Sequence, residues 1–124
     1  MAYDAALTYA SQAHVNPELK AFLEESKTLI GQEGPSGFLS NKTYDTQTDM
    51  SFCKHGLTLA FYCLLKSEQM SRRTLFDFSM RQTSGLGGDT DTNCAIVGGL
   101  IGAYLGISKI PQEKVKKVLE CDVS

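Results

Sequence analysis

The sequence predicts an all-α fold of about six helices. Apolar residues recur at helical spacing along most of the 124-residue chain, and no stretch alternates apolar and polar residues as a half-buried strand does. A helix start stands out at Asn16-Pro17-Glu18, which places a capping residue, a first-turn proline and a first-turn acid in the favoured order. These observations favour a helical bundle over a domain that contains a sheet.

The first two helices are expected over residues 2–14 and 17–30. The first is rich in alanine, and the second carries large apolar side chains at helical spacing. Gly31 is expected to end the second helix, because glycine adopts the backbone conformation that helix ends require.

Residues 31–50 are expected to form a long loop, because they combine glycine and proline with a polar run. Loops of this length are usually functional or mobile. The pairs Asp45-Thr46 and Thr48-Asp49 each join an acid to a hydroxyl. We expect them to be solvated loop residues rather than metal ligands.

The third and fifth helices, over residues 51–66 and 89–105, are expected to be the most buried. The third is apolar on nearly all sides, which predicts that protein surrounds it. The fifth has glycines four residues apart, at Gly98, Gly102 and Gly106. Because each glycine weakens a helix, their presence predicts close packing against the backbone of a neighbour.

The fourth and sixth helices are expected on either side of the fifth. Ser71 is a candidate N-cap for the fourth, and the glycine-rich residues 85–88 should break it. Residues 106–111 should form a turn before a short amphipathic helix over residues 113–119.

Composition narrows the possible functions. The chain is 42% hydrophobic, and its 12 basic and 14 acidic residues give a net charge of -2. Without a basic excess, binding to nucleic acid is not expected. The longest apolar run, residues 94–107, is shorter than the ~20 residues that span a bilayer, so no membrane segment is expected.

The cysteines and the N-terminus predict a cytoplasmic or other reducing intracellular compartment. The N-terminus has an acid and no basic region of the kind that opens a signal peptide. The four cysteines have neither a CxxC nor a zinc spacing, so we expect reduced and mostly buried thiols. They are Cys53, Cys63, Cys94 and Cys121.

The stretch of residues 87–93, Gly-Gly-Asp-Thr-Asp-Thr-Asn, is the strongest candidate functional motif. Asp89, Asp91 and Thr92 offer hard oxygen ligands at a helix start, which suits Mg²⁺, Mn²⁺ or Ca²⁺ better than zinc. Helix capping is the alternative interpretation of the same residues. An EF-hand is excluded, because Cys94 and Leu100 stand where that loop needs glycine and glutamate.

Residues 87–103 closely resemble the C-terminal signature of the ADP-ribosylglycohydrolase family, which includes dinitrogenase-reductase-activating glycohydrolase, the ADP-ribosyl-acceptor hydrolases and the J1 crystallins. The resemblance continues in the segments around it, while the start of the chain gives a weaker match to a His-x-x-Pro segment of the family. These further segments are residues 55–67, 74–84, 110–111 and 14–17.

The resemblance implies the C-terminal part of an all-α bundle that holds two Mg²⁺ ions, or sometimes Mn²⁺. It implies that Asp89, Asp91 and Thr92 are metal ligands and that the ions orient the ribose beside the scissile bond. It also places His14 near the ADP-ribose, although His14 could instead be an exposed residue that flanks the N-cap Asn16. His55 is expected to be structural, because its spacing pairs it with no other ligand.

The resemblance covers only part of the family domain. Residues 1–124 are much shorter, and the N-terminal portion, with a Thr-Asp-Asp-type metal cluster and the catalytic acid, is expected to be absent. No catalytic residue can therefore be named. Three ligands cannot complete two octahedral Mg²⁺ shells, so the chain alone should not form the dinuclear site.

Two functions follow from this incomplete match. The first is metal-dependent hydrolysis of ADP-ribosyl linkages on an ADP-ribosylated substrate, in a site completed by the missing N-terminal portion or by a partner chain. The second is a non-catalytic structural or interaction module of a larger assembly. The chain could accordingly be a fragment, one half of a split enzyme or a degenerate subunit.

Overall fold

The computed structural model describes residues 2–12, 15–49 and 53–121. Over these residues the chain forms six α-helices and one short 3₁₀ turn and contains no strand, which confirms the predicted all-α fold. The elements are α1 (Ala2–Ala10), α2 (Pro17–Thr28), α3 (Lys54–Lys66), α4 (Arg72–Leu86), α5 (Thr90–Leu105), the 3₁₀ turn (Ile107–Lys109) and α6 (Gln112–Leu119).

The start of α2 forms as its sequence predicts. The side chain of Asn16 accepts a hydrogen bond from the Glu18 backbone N–H at 2.9 Å, and Pro17 occupies the first helical position. At α4 the predicted cap is wrong in detail, because the hydroxyl of Ser71 lies 3.0 Å from the hydroxyl of Thr74 and makes no capping bond.

The helix ends differ from the predicted ones by a few residues. Helix α4 continues through Gly85 and ends at Leu86, within the predicted break, because Gly85 keeps a negative φ whereas Gly87 and Gly88 each have a φ of 78°. The predicted start of the third helix, at residues 51–52, lies outside the described residues.

Helix α3 is the centre of the fold and is in contact with α1, α2, α4 and α5. Nine of its residues are buried, which confirms the prediction for this helix. Leu59, Tyr62 and Cys63 are fully buried in a core that also contains Leu75 of α4 and Val97 of α5.

The prediction that α5 is equally buried is wrong. Only one face of α5 is buried, and its residues are Asn93, Val97, Ile101 and Leu105. The opposite face carries Ala95, Gly99 and Ala103, which are exposed. The small residues of α5 therefore lie partly on an open face, and the buried face packs against α3 and α4.

The glycines of α5 do not pack against a neighbouring backbone, contrary to the prediction. A Cβ placed on Gly98 or Gly102 would meet only the end of a side chain, at 3.5 Å and 3.6 Å. Gly106 caps the helix with a φ of 79°. The tight helix contact is instead at Gly56 of α3, where a Cβ would lie 2.5 Å from Cδ1 of Ile96.

The predicted loop is present between α2 and α3, and it is fixed to the helices by buried contacts. The carboxylate of Glu33 accepts hydrogen bonds from the Tyr62 hydroxyl at 2.6 Å and from the Lys66 ammonium at 3.0 Å. Further along, the side-chain amide of the buried Gln82 bonds to both the backbone N–H and the carbonyl of Leu39. The loop is therefore anchored to α3 and α4 at a few residues, although most of its residues are exposed.

All four cysteines are free thiols. Cys63 is buried and Cys94 is half-buried, but Cys53 and Cys121 are exposed, so the prediction of mostly buried thiols is wrong for two of them. Burial raises the pKa of Cys63 to about 12, so this thiol is protonated at neutral pH.

None of the helices in the described residues has both the length and the apolar character that a membrane span needs.

Candidate functional site

The candidate motif lies where α4 ends and α5 begins. Gly87 and Gly88 both have a φ of 78°, a conformation that side chains rarely adopt, and they turn the chain sharply between the two helices. A Cβ on Gly87 would also lie 3.0 Å from the side-chain nitrogen of Gln47 in the loop. The glycines therefore provide both the turn and the space for the loop beside it.

The loop holds this turn in place through one buried hydroxyl. The Thr46 side chain is fully buried and lies within hydrogen-bonding distance of two carbonyl oxygens, at 3.1 Å from Leu86 and 3.0 Å from Gly87. Carbonyls at a helix C-terminus lack partners within the helix, so a hydroxyl from the loop satisfies them. The position of α5 thus depends on the loop.

The hydroxyl of Thr46 can be tested by an almost isosteric change. Thr46→Val leaves the carbonyl groups of Leu86 and Gly87 without this donor, so we expect the free energy of unfolding to fall by about 1–2 kcal/mol. Urea denaturation measures the change. Thr43→Val, at an exposed loop position, is the matched control and should change stability by less than about 0.5 kcal/mol. Equal stability of the two variants would contradict the role given to Thr46.

Asp89 occupies the N-cap position of α5 and is partly exposed. Its side chain makes no capping hydrogen bond, so the capping interpretation is wrong for this carboxylate. Only its backbone carbonyl takes part in the helix, accepting from the Asn93 N–H at 3.0 Å. The carboxylate of Asp89 is therefore not engaged by the end of its own helix.

Asp91 lies in the first turn of α5, where its side chain and that of Thr92 are exposed. A hydrogen bond with the carboxyl group of Asp89 lowers the pKa of Asp91, and the backbone N–H groups of Asp91 and Thr92 lower it further. The carboxyl groups of Asp89 and Asp91, two residues apart at the start of α5, are therefore near enough to interact. When both are ionised they repel, and a bound cation would offset that repulsion.

The donor atoms suit a hard divalent cation. Asp89, Asp91 and Thr92 offer two carboxylates and one hydroxyl, the oxygen ligands that Mg²⁺ and Mn²⁺ prefer. Three such donors are at most half of an octahedral shell. No group of three or more His, Cys, Asp or Glu side chains placed to hold a metal occurs in residues 2–12, 15–49 and 53–121.

His14, the predicted contact to ADP-ribose, lies outside the described residues.

Asp45 is part of a local turn in the loop. Its carboxylate accepts hydrogen bonds from the Gln47 and Thr48 backbone N–H groups and from the Thr48 hydroxyl, and these bonds close the turn. These bonds, led by the one from the Thr48 hydroxyl, lower the pKa of Asp45. The pair Asp45-Thr46 is thus structural, and Thr46 is buried rather than solvated as predicted.

His55 connects the loop to α3, in line with its predicted structural role. Its Nδ1 lies 3.2 Å from the Tyr44 hydroxyl, and its Nε2 lies 3.1 Å from the carbonyl of Thr48. The ring thus connects Tyr44 and Thr48 of the loop to α3. Sequence reasoning missed Tyr44 as the partner of His55, because nothing in their spacing marks a contact across the loop.

Asn93, the last residue of the motif, was given no role by sequence reasoning. Its side chain is 2% exposed, on the face of α5 that packs against Gly56 of α3. Asn93 therefore anchors the buried side of the first turn, while Asp91 and Thr92 remain on the open side. Within residues 89–93 the motif therefore combines a buried residue that packs against α3 with exposed oxygen-bearing side chains.

The sequence matches the family model for ADP-ribosylglycohydrolase over residues 1–123. The chain therefore belongs to the ADP-ribosylglycohydrolase family, as its resemblance predicted. Comparisons with curated proteins and with solved structures gave no significant match.

Proposed function

We propose that the chain supplies part of the metal site of an enzyme that hydrolyses ADP-ribosyl linkages with Mg²⁺, or alternatively Mn²⁺. In this proposal Asp89, Asp91 and Thr92 are ligands, and an N-terminal portion or a partner chain supplies the remaining ones. The substrate is an ADP-ribosylated molecule. Membership of the family supports the reaction class.

One observation supports the ligand assignment more than any other. The carboxyl groups of Asp89 and Asp91 lie two residues apart at the start of α5, and Asp89 makes no capping hydrogen bond. A cap residue normally bonds to the backbone N–H groups of the first turn. The Asp89 carboxylate has no such bond, and the Asp91 carboxylate accepts from the first-turn backbone beside it, so both keep oxygens that could bind a cation.

In this proposal the residues of this chain hold the metal ions and fix the position of the ligand oxygens. The Gly87-Gly88 turn and the Thr46 hydroxyl fix the start of α5, so the ligand oxygens keep a defined direction. A bound pair of Mg²⁺ ions would orient the ribose hydroxyls and lower the pKa of a water molecule beside the scissile bond. We assign no residue of this chain as general acid or base.

His14 remains a proposed contact to the ADP-ribose, and the proposal depends on the resemblance of His14 to Pro17 to the family's His-x-x-Pro segment. A cytoplasmic or other reducing compartment is likewise a proposal, supported by four free thiols.

The hydrolase proposal is tested by complementation. The chain is mixed with an N-terminal portion of the family that carries a Thr-Asp-Asp-type cluster, and release of ADP-ribose from an ADP-ribosylated peptide is measured with Mg²⁺ present. We expect Asp91→Asn to lower the rate at least about 100-fold, because the variant loses a charged ligand to the metal that stabilises the transition state.

Asp4→Asn is the matched control, because Asp4 is also exposed in the first turn of a helix. Its rate should equal that of the unchanged chain. Full activity of Asp91→Asn would contradict the ligand assignment.

The second candidate function is a non-catalytic interaction module. It is supported by an apolar groove between α4 and α6 whose outer residues are exposed. If the chain serves only in assembly, neither the unchanged chain nor Asp91→Asn should release ADP-ribose in the complementation assay.

A further inference from the structure

A depression of about 310 Å³ lies where the first turn of α4 meets the 3₁₀ turn, two elements that are in contact. It is lined by Arg73 of α4, by Ser108 and Lys109 of the 3₁₀ turn, and by the two residues that follow, Ile110 and Pro111. The lining therefore combines two basic side chains and a hydroxyl group with two apolar residues.

Neither basic side chain of this depression has an anionic partner in the described part of the chain, and neither makes a hydrogen bond or ring contact there. Other cations near it are engaged. Arg72 lies 4.8 Å from the ring centre of Tyr104, and Lys114 pairs with Asp77 at 2.9 Å. Two cations that line one depression repel each other, and a bound anion would offset that repulsion.

The start of α4 adds to the positive potential of the depression. Its first turn contains Arg72 and Arg73 and no acid, and Ser71 makes no capping hydrogen bond. Because the N-terminus of a helix carries a partial positive charge, acids are favoured there and arginines are not. Lys109 is half-buried, so solvent screens its charge less than that of a fully exposed lysine.

We propose that this depression binds the phosphate group of a small phosphomonoester. The planar guanidinium group of Arg73 can donate two parallel hydrogen bonds to a phosphate, and the ammonium group of Lys109 adds a compact charge. A phosphomonoester carries a charge of about −1.5 to −2 at pH 7, which two cations match better than they match the single charge of a carboxylate. Ser108 offers a further donor, and Ile110 and Pro111 offer apolar surface to the organic part of the ligand.

The depression and the candidate metal ligands lie at opposite ends of α5. Asp89 and Asp91 are at the start of this helix, whereas the 3₁₀ turn follows its C-terminus. A helix of 16 residues is about 24 Å long. The proposed phosphomonoester is therefore a second ligand, separate from the group that a metal at Asp89 and Asp91 would hold.

The test measures binding of phenyl phosphate to the full chain by saturation-transfer NMR, with EDTA present so that no metal ion bridges the two. We expect saturable binding with a Kd on the order of 1 mM. Phenyl sulfate has nearly the same shape and a single negative charge, so it should bind at least about fivefold more weakly.

Variants of the chain locate the ligand. Arg73→Gln with Lys109→Gln should weaken binding of phenyl phosphate at least about tenfold, because hydrogen bonds to charged groups are lost. Arg81→Gln with Lys20→Gln removes the same two residue types at exposed positions elsewhere and should leave binding within a factor of about two. Circular dichroism of each variant verifies that the fold is retained.

Asp91→Asn separates this site from the candidate metal site. It should leave binding of phenyl phosphate unchanged, so failure of the hydrolase proposal would not affect this result. Loss of phenyl phosphate binding in Asp91→Asn would place the ligand at the other end of α5 and overturn the proposal.

Three further results would overturn it. The first is equal binding of phenyl phosphate by the variant that combines Arg73→Gln with Lys109→Gln and by its control. The second is binding of phenyl sulfate as tight as that of phenyl phosphate, which would make the depression a general anion site. The third is binding to vesicles that contain phosphatidic acid without saturable binding of phenyl phosphate, which would make a lipid headgroup the ligand.

Discussion

Replacing Glu33 by alanine is expected to lower the free energy of unfolding by about 3 kcal/mol. The Glu33 carboxylate accepts hydrogen bonds from the Tyr62 hydroxyl, the Lys66 ammonium and the Gly31 backbone N–H. The side chains of Glu33 and Lys66 are each only 11% exposed. Removal of Glu33 leaves the nearly buried Lys66 ammonium without its counter-ion and with only its hydrogen bond to Gln69, and loss of a buried charge's partner is among the more costly changes in a protein. Urea denaturation at pH 7 measures the loss.

Glu33→Gln separates the effect of losing the negative charge from the effect of losing the side chain. Glutamine retains an acceptor for Tyr62 or Lys66, so we expect a smaller loss, of about 1–2 kcal/mol. Lys27→Ala, an exposed residue of α2, is a suitable surface control. A Glu33→Ala variant as stable as this control would contradict the importance of the contact between the loop and α3.

The contribution of Glu33 should also depend on pH. Burial raises the pKa of Glu33, but the hydrogen bonds from Tyr62 and Lys66 outweigh that effect, and its pKa in the folded chain is below the usual 4.5. A carboxyl group whose pKa is lowered by folding stabilises the fold above its unfolded pKa and loses that effect as the pH falls through its folded pKa. The stability difference between the unchanged chain and Glu33→Gln should therefore be constant near pH 7 and shrink below about pH 4.5.

Gly56→Val is expected to destabilise the chain by about 3 kcal/mol. A Cβ at Gly56 would lie 2.5 Å from Cδ1 and 3.2 Å from Cβ of Ile96, and 3.4 Å from Oδ1 of Asn93. Because the Cβ of Ile96 is fixed to its helix, rotation of the side chain alone cannot relieve the contact. Helices α3 and α5 would have to separate, and overpacking of a core is costly.

The cause of this effect can be isolated with two further variants. Gly99→Val is the matched control, because a Cβ at Gly99 meets nothing within 4 Å, and it should change stability by less than about 0.5 kcal/mol. Ile96→Ala removes Cδ1, the nearest atom, and keeps only the milder contact with Cβ. The double variant Gly56→Val with Ile96→Ala should therefore be more stable than the sum of the single changes predicts, by at least about 1 kcal/mol. Strict additivity would show that Gly56 is not a packing constraint.

The helices could be predicted from local signals in the sequence. Capping by Asn16, the proline at position 17 and the apolar spacing in α3 act within one or two turns, and the structure confirms the helices that they predict. The end of α4 was less certain, because Gly85 and Gly87 look alike in sequence. Only the backbone shows that Gly87, and not Gly85, takes a positive φ.

Contacts between distant residues could not be predicted in the same way. The polar run of the loop looked solvated, yet Thr46 is buried against the end of α4 and Tyr44 is buried against His55. The close approach of α3 and α5 also depends on which faces meet. For that reason the sequence drew attention to Gly98 and Gly102, while Gly56 is the glycine that the packing requires.

The candidate ligands were predictable because they share one short motif. Asp89, Asp91 and Thr92 lie at the start of α5, as the motif and the family resemblance together predicted. What the sequence left open was whether Asp89 caps the helix. That depended on the direction of one side chain, which the structure shows to make no capping bond.

The central claim is that Asp89, Asp91 and Thr92 hold a divalent cation, and titration with Mn²⁺ followed by electron paramagnetic resonance tests it most directly. We expect the chain to bind one Mn²⁺ weakly, with a Kd on the order of 1 mM, because it supplies only part of a ligand shell. Asp89→Asn and Asp91→Asn should each weaken binding at least about tenfold, while the control Asp4→Asn should bind as the unchanged chain does. Unaltered Mn²⁺ binding by Asp89→Asn and Asp91→Asn would contradict the claim.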